Sequence, residues 1–280
     1  MGSFTIGAAW GEAMAFLQRH MTMLLVLVGG SVLLATIIQT FVFGVSQAAL
    51  QAQMQSAMTS GQMETFMTTV LPGIAGAGLI GAIIQATGQF AAYRMGLSGE
   101  DDYASAIIYG LTAAIVSLLF WSVVLLIVAL VLGLTLGALG MGFAGGSGGG
   151  SAAMLGVFGL FILLLLPVAL WLAARLWAVQ PAMADARSIN PLYGLSQSWQ
   201  LTAPYQWPLL GYLLLTLIGM IVVFGILGAI AGFIGAALGE TIGSLFVAIT
   251  TGVPAGILSL AIGAGVYRTL TPHNASDVFA

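Results

Sequence analysis

Six apolar stretches, each longer than twenty residues, divide this chain and leave little room for anything else. They run over about 21–45, 71–95, 112–136, 153–179, 207–238 and 242–266. About 20 consecutive apolar residues is the length that crosses a bilayer as a helix. Within hydrocarbon every backbone N–H and C=O needs an internal partner, so only helices and closed barrels span. Long continuous apolar runs without alternation select the helix. The expected fold class is all-α: a six-span polytopic membrane protein forming one membrane domain over residues 1–280.

The composition excludes a water-soluble globule. Charged residues make up 5% of the chain, against about 25% in soluble domains. A net charge of -3, with no lysine, gives no basic surface for nucleic acid. The absence of cysteine excludes disulfides, thiolate metal sites and cysteine nucleophiles. The first apolar run is too long for a signal-peptide core of about 7–15 residues and reads as a retained span.

Three shorter segments precede spans one, three and five and read as interfacial helices, at about 3–20, 98–110 and 189–202. In the first, Ile6, Trp10, Met14 and Leu17 recur at helical spacing. In the second, Ser98 is a candidate cap, and Glu100, Asp101 and Asp102 complement a helix start. In the third, Asn190 caps and Pro191 occupies the first helical position. Pro167 and Pro254 are expected to kink spans four and six. Residues 46–70 read as an amphipathic excursion outside the membrane, and 137–152 as a Gly/Ser-rich turn.

With six spans, Arg19, Arg94, Arg175, Arg187 and Arg268 all fall on one side. The positive-inside rule then places both termini in the cytoplasm, which suits a multi-pass protein of the cytoplasmic (inner) membrane. The same arginines suggest a threefold pseudo-repeat of helical hairpins. Trp10, Tyr103 and Tyr193 open the units about ninety residues apart, and Arg94, Arg175 and Arg268 close them.

Residues 185–207 stand out as polar between apolar neighbours. Leu192, Leu195 and Trp199 form one stripe; Tyr205 and Trp207 anchor the entry to span five at headgroup depth. The pattern Gln180-Pro181-Ala182, Pro191-Leu192, Leu195, Ser198-Trp199, Leu201-Thr202 and Trp207, with Tyr267-Arg268 near the C-terminus, resembles the membrane domain of bacterial glycerophosphoryl diester phosphodiesterases and related YciC-type membrane proteins. The resemblance implies a helical membrane domain linked to lipids or the envelope. The chain has no room for the soluble phosphodiesterase domain that some members carry, so that activity is not expected.

Groups for chemistry are few. His20 and His273, with Glu12 or Asp277, would meet only if the termini pack together. The pairs Met54/Met58 and Met63/Met67 fit filler on helix faces better than a copper site. No nucleotide loop, zinc signature or catalytic triad motif is present, and no metal or other cofactor is expected. Arg94, Arg175 and Arg268, with Trp199 and Trp207, are candidate contacts to lipid or a partner. Gln85 and Gln89 are candidate intramembrane polar contacts. Gly-rich faces such as Gly228/Gly232 and Gly235/Gly239 suit a protein partner or a homo-oligomer. The expected function is a non-catalytic membrane protein that binds lipid or a partner subunit. The alternatives are a channel or transporter for a neutral or amphiphilic molecule, and a membrane enzyme of lipid metabolism. A groove ringed by the three arginines would favour the first reading, and a polar cavity bordered by Gln85 and Gln89 the second.

Overall fold

The computed structural model describes residues 4–44, 47–60, 71–143 and 165–271, with 62, 65, 66 and 68 between them. The described residues form helices and no strand. In chain order these are α1 (Ile6–Val42), α2 (Gln47–Ser60), α3 (Leu71–Ser98), α4 (Tyr103–Phe143), α5 (Leu165–Asp185), α6 (Pro191–Thr202), α7 (Gln206–Ala237) and α8 (Thr241–Leu270). Six of the helical segments are long and apolar enough to cross a membrane.

Several boundaries differ from the sequence reading, each for a physical reason. Segment 3–20 keeps its expected end: its helix starts at Ile6 and stops at a kink at His20 (φ -117, ψ 17), where span one begins. Its Ala9, Ala13 and Phe16 are fully buried in the bundle, while Ile6 and Trp10 of the expected stripe are 41% and 44% exposed. Segment 98–110, by contrast, runs straight into span three, and α4 continues to Phe143 through residues first assigned to a turn. Its cap is Asp102, whose carboxylate oxygens accept from the amides of Ala104 (3.1 Å) and Ser105 (3.2 Å). Ser98 instead donates to the carbonyl of Arg94 at 2.5 Å. Residues 144–164, including the Gly/Ser-rich run and the start of span four, lie outside the described residues.

In α5 the helix passes through Pro167 and breaks later, at Trp177-Ala178, before resuming as Val179–Asp185. Pro181 then sits in the first turn of the resumed helix, where its missing N–H costs little. In α8, Pro254 follows a π-type widening over Ala248–Gly252. The missing N–H of a proline is often absorbed this way. Separate helix α6 agrees with expectation: Asn190 accepts from the Leu192 amide at 3.0 Å, and Pro191 is the first helical residue.

The packing follows a cyclic order. Helix α3 lies along α4, α5 along α6, and α8 along α1. Helices α3, α5 and α8 also touch one another. Each closing helix of a sequence unit therefore docks on the opening helix of the next, and the third returns to the first. The arginines repeat the rule. The Arg94 guanidinium lies 5.0 Å from the Tyr109 ring centroid, Arg175 lies 4.3 Å from Trp199, and Arg268 lies 5.2 Å from Phe16.

Two glycines make the close approaches possible. A Cβ on Gly110 would stand 2.5 Å from the Thr87 carbonyl, and one on Gly265 would stand 2.5 Å from the Ala9 carbonyl. Small residues let membrane helices gain van der Waals contact where lipid removes the hydrophobic drive to associate. The largest buried side chains, among them Phe16, Phe90, Met183 and Tyr212, gather toward the arginine-bearing end. Away from it, Leu119, Val123 and Leu126 on α4 and Ile221, Ile230 and Phe233 on α7 stay exposed. Of the two small-residue pairs on α7, Gly235 meets Gly243 across the hairpin, while Gly228 and Gly232 face open space.

Candidate functional site

The break in α5 organises the polar groups of the bundle. The last carbonyls of a helix have no intrahelical partner. Here the Arg175 carbonyl accepts from the Ser198 hydroxyl at 2.6 Å, and Thr202 lies 3.5 Å from the same oxygen. In return Arg175 donates from Nη1 to the Trp199 carbonyl (3.1 Å) and to Thr202 Oγ1 (3.3 Å). Its guanidinium also faces Trp171 at 5.4 Å. Ser198 and Thr202 are fully buried and one helical turn apart, so they reach the same carbonyl. The Ser-Trp-x-Leu-Thr signature is thus a clamp that holds α6 to the broken span.

The other arginines are similarly engaged. Arg94 is 5% exposed and pairs with Glu100, with Nη2 and Nε at 2.5 Å and 2.6 Å from Oε2. Hydrogen bonds from Ser105 and then Arg94 hold the Glu100 carboxyl below its usual pKa range. Arg268 donates from Nη2 to the Gly96 carbonyl at 2.9 Å. Tyr267 donates to Asp185 at 2.8 Å and Tyr109 to the Ser188 carbonyl at 3.0 Å, joining further helices at the same end. The three closing arginines therefore do not ring a common groove: each is spent on a neighbouring helix. Arg94 Nη1 and Arg175 Nε are buried without a partner among the described residues. Trp199 is 39% exposed and Trp207 70%, as anchors at a membrane surface would be.

Beside the break lies a partly open cavity of about 240 Å³. Gln89 and Tyr93 of α3, Trp121 of α4, Trp177 and Gln180 of α5, and Ser259 of α8 bring polar atoms to it, with Leu176, Val179 and Leu260 completing the wall. The Tyr93 hydroxyl occupies the notch left by Gly263, next to the Trp177 indole nitrogen. None of the six polar side chains has a hydrogen-bond partner among the described residues. Gln89 stands nine residues before Ser98, about 14 Å along the helix axis.

Of the two glutamines singled out in the sequence, Gln89 lines this cavity; Gln85, one turn away and partly buried, does not. The sequence reading used Gln180 only in the family motif and gave it no site role, because it ended span four at 179. In α5 Gln180 lies on the resumed turn after the break, five residues beyond Arg175. Tyr93, Trp121, Trp177 and Ser259 gave no signal of their own, since aromatic residues and serine are common in spans. No group of three metal-binding side chains occurs among the described residues. His273 and Asp277 lie outside them, so the four-residue terminal cluster is not placed.

No family model, no curated protein and no solved structure matches this chain.

Proposed function

We propose that this is a non-catalytic integral membrane protein that binds the polar part of a membrane amphiphile within its helical bundle. The observation that carries the reading is the cavity beside the α5 break, where six polar side chains from four helices converge. Tyr93 is buried, Gln89, Trp121, Trp177 and Gln180 are partly buried and Ser259 is exposed, so a ligand entering from the open side can pair with them. Among the described residues the wall contains no carboxylate, histidine or lysine for acid–base work. The resemblance to the membrane domain of the phosphodiesterase and YciC-type proteins agrees with a lipid-linked role, and rests on the short motif around the clamp.

The function is tested by extracting the protein into mild detergent and measuring retained lipid by native mass spectrometry. A defined lipid should stay bound to the wild type and be lost from a variant carrying Gln89→Leu and Gln180→Leu. Equal retention by both would refute the assignment of the site. A second reading, a path for a neutral small molecule, draws on the broken helix next to a polar cavity, an arrangement common at transporter sites. Liposome flux of neutral solutes, absent from the same variant, would favour it.

The proposal places the protein in a bacterial inner membrane with both termini cytoplasmic, on the one-sided distribution of its five arginines. Single cysteines replacing Gln55 and Ile189, both exposed, report the sides. An impermeant thiol reagent added outside should label position 55 and spare 189. The reverse pattern would overturn the orientation.

A further inference from the structure

We infer that the cavity at the α5 break is a site for a neutral, hydroxyl-bearing headgroup of about monosaccharide size. The inference rests on the lipid-binding reading and gives it a chemical class. Two primary amides, Gln89 and Gln180, approach from different spans, and each offers both donors and an acceptor. The Tyr93 and Ser259 hydroxyls can donate or accept, and the Trp121 and Trp177 indoles add donors and flat apolar faces. A ring or chain of hydroxyls matches this set: its O–H groups pair with amides and its C–H faces lie on indoles. The volume, about 240 Å³, lies below the roughly 300–1,000 Å³ of drug-sized ligand pockets. It accommodates one small head and leaves the acyl chains outside, at the open side where Ser259 is exposed.

Charge argues against a phosphate here. No arginine lines the cavity, although two arginines neighbour it in sequence. Arg94 follows Tyr93 but faces Tyr109 and Glu100, and Arg175 faces Trp199 and Thr202 on α6. A phosphate in the cavity would therefore be a buried charge without a counter-ion in its wall.

The test uses the full chain in phosphatidylcholine nanodiscs, titrated separately with a glucosyl diacylglycerol, with phosphatidic acid and with free glucose. Tryptophan emission and native mass spectrometry read binding. Saturable binding of the glucosyl lipid is expected, reduced at least tenfold by Gln89→Leu with Gln180→Leu. Ser259→Leu, a change at the exposed rim that does not threaten folding, should reduce it too. Gln85→Leu should leave it unchanged. Preferred retention of phosphatidic acid would overturn the hydroxyl class and leave lipid binding standing. Free glucose binding as tightly as the lipid would support the hydroxyl class and overturn the lipid reading. Retention of none of the three, or loss in Gln85→Leu equal to that in the cavity variants, would overturn the site.

Discussion

Replacing Arg175 with methionine removes the cation around which α5 and α6 interlock. The side chain is 8% exposed, so the change occurs in the packed interior. It loses the Nη1 hydrogen bonds to the Trp199 carbonyl at 3.1 Å and Thr202 Oγ1 at 3.3 Å. It also loses stacking at 4.3 Å and 5.4 Å on two indoles. A hydrogen bond from a charged donor contributes about 1.5–3 kcal/mol, and a cation over an aromatic face about 0.5–2 kcal/mol. Relief of burying a guanidinium offsets part of this, leaving an expected net loss of about 1–3 kcal/mol. Thr202→Val keeps the shape and removes only the hydroxyl, for an expected loss of about 1 kcal/mol. Hydrogen-bond couplings between membrane helices average about 0.6 kcal/mol and reach about 1.7 kcal/mol. The double variant should therefore be less destabilised than the sum of the singles by about that amount. Reversible unfolding in mixed micelles measures all four corners of the cycle, and Trp171 and Trp199 emission reports the clamp directly. An unchanged stability in Arg175→Met, together with strictly additive singles, would refute the interlock.

Two further expectations follow from the packing and the polar end. Gly110→Ala places a methyl 2.5 Å from the Thr87 carbonyl and 3.1 Å from the Ala91 amide nitrogen, both backbone atoms. Overpacking of that kind costs about 1–3 kcal/mol. Gly228→Ala meets nothing within 4 Å and should instead gain up to about 1 kcal/mol from helix propensity. Thermal unfolding in detergent separates the two, and a loss at Gly228 would indicate that its open face is covered by another molecule. For Glu100, the folded state holds the carboxyl below its ordinary value of 4.5, so its ion pair adds stability above that pH. The contribution fades as pH falls below 4.5 through the lower folded value. The unfolding midpoint of the wild type should drop over that window, and Glu100→Gln should show a smaller drop from a lower starting point. Parallel pH profiles for the two proteins would count against the pairing.

Residues at the helix ends show where the sequence was informative. Asn190-Pro191 fixed the start of α6 because a cap and a first-turn proline act within four residues. The Ser98 cap failed because Asp102, four residues on, offers two carboxylate oxygens to the first amides of α4. The repeat of Tyr103 with Tyr193 and of Arg94 with Arg175 and Arg268 was visible as spacing. Its meaning, a closing arginine set over the next unit's aromatic residue, lies in contacts between helices far apart in the chain.

The sequence by itself determined the solvent, the helical class and the number of spans. These depend on the length and polarity of consecutive residues, and a bilayer reads those locally. It also marked the arginine-bearing end, since cations are excluded from hydrocarbon wherever the bundle folds. Only the tertiary structure decided which faces turn inward. In the first twenty residues Ala9, Ala13 and Phe16 are buried while Trp10 stays exposed, because lipid accepts large apolar side chains as readily as protein does. Interior position in a membrane is therefore assigned by close fit and hydrogen bonding rather than by hydrophobicity. The same reason hid the clamp and the cavity. Ser198, Thr202, Gln89 and Gln180 acquire their roles from a helix break at Trp177-Ala178 that brings distant spans into register.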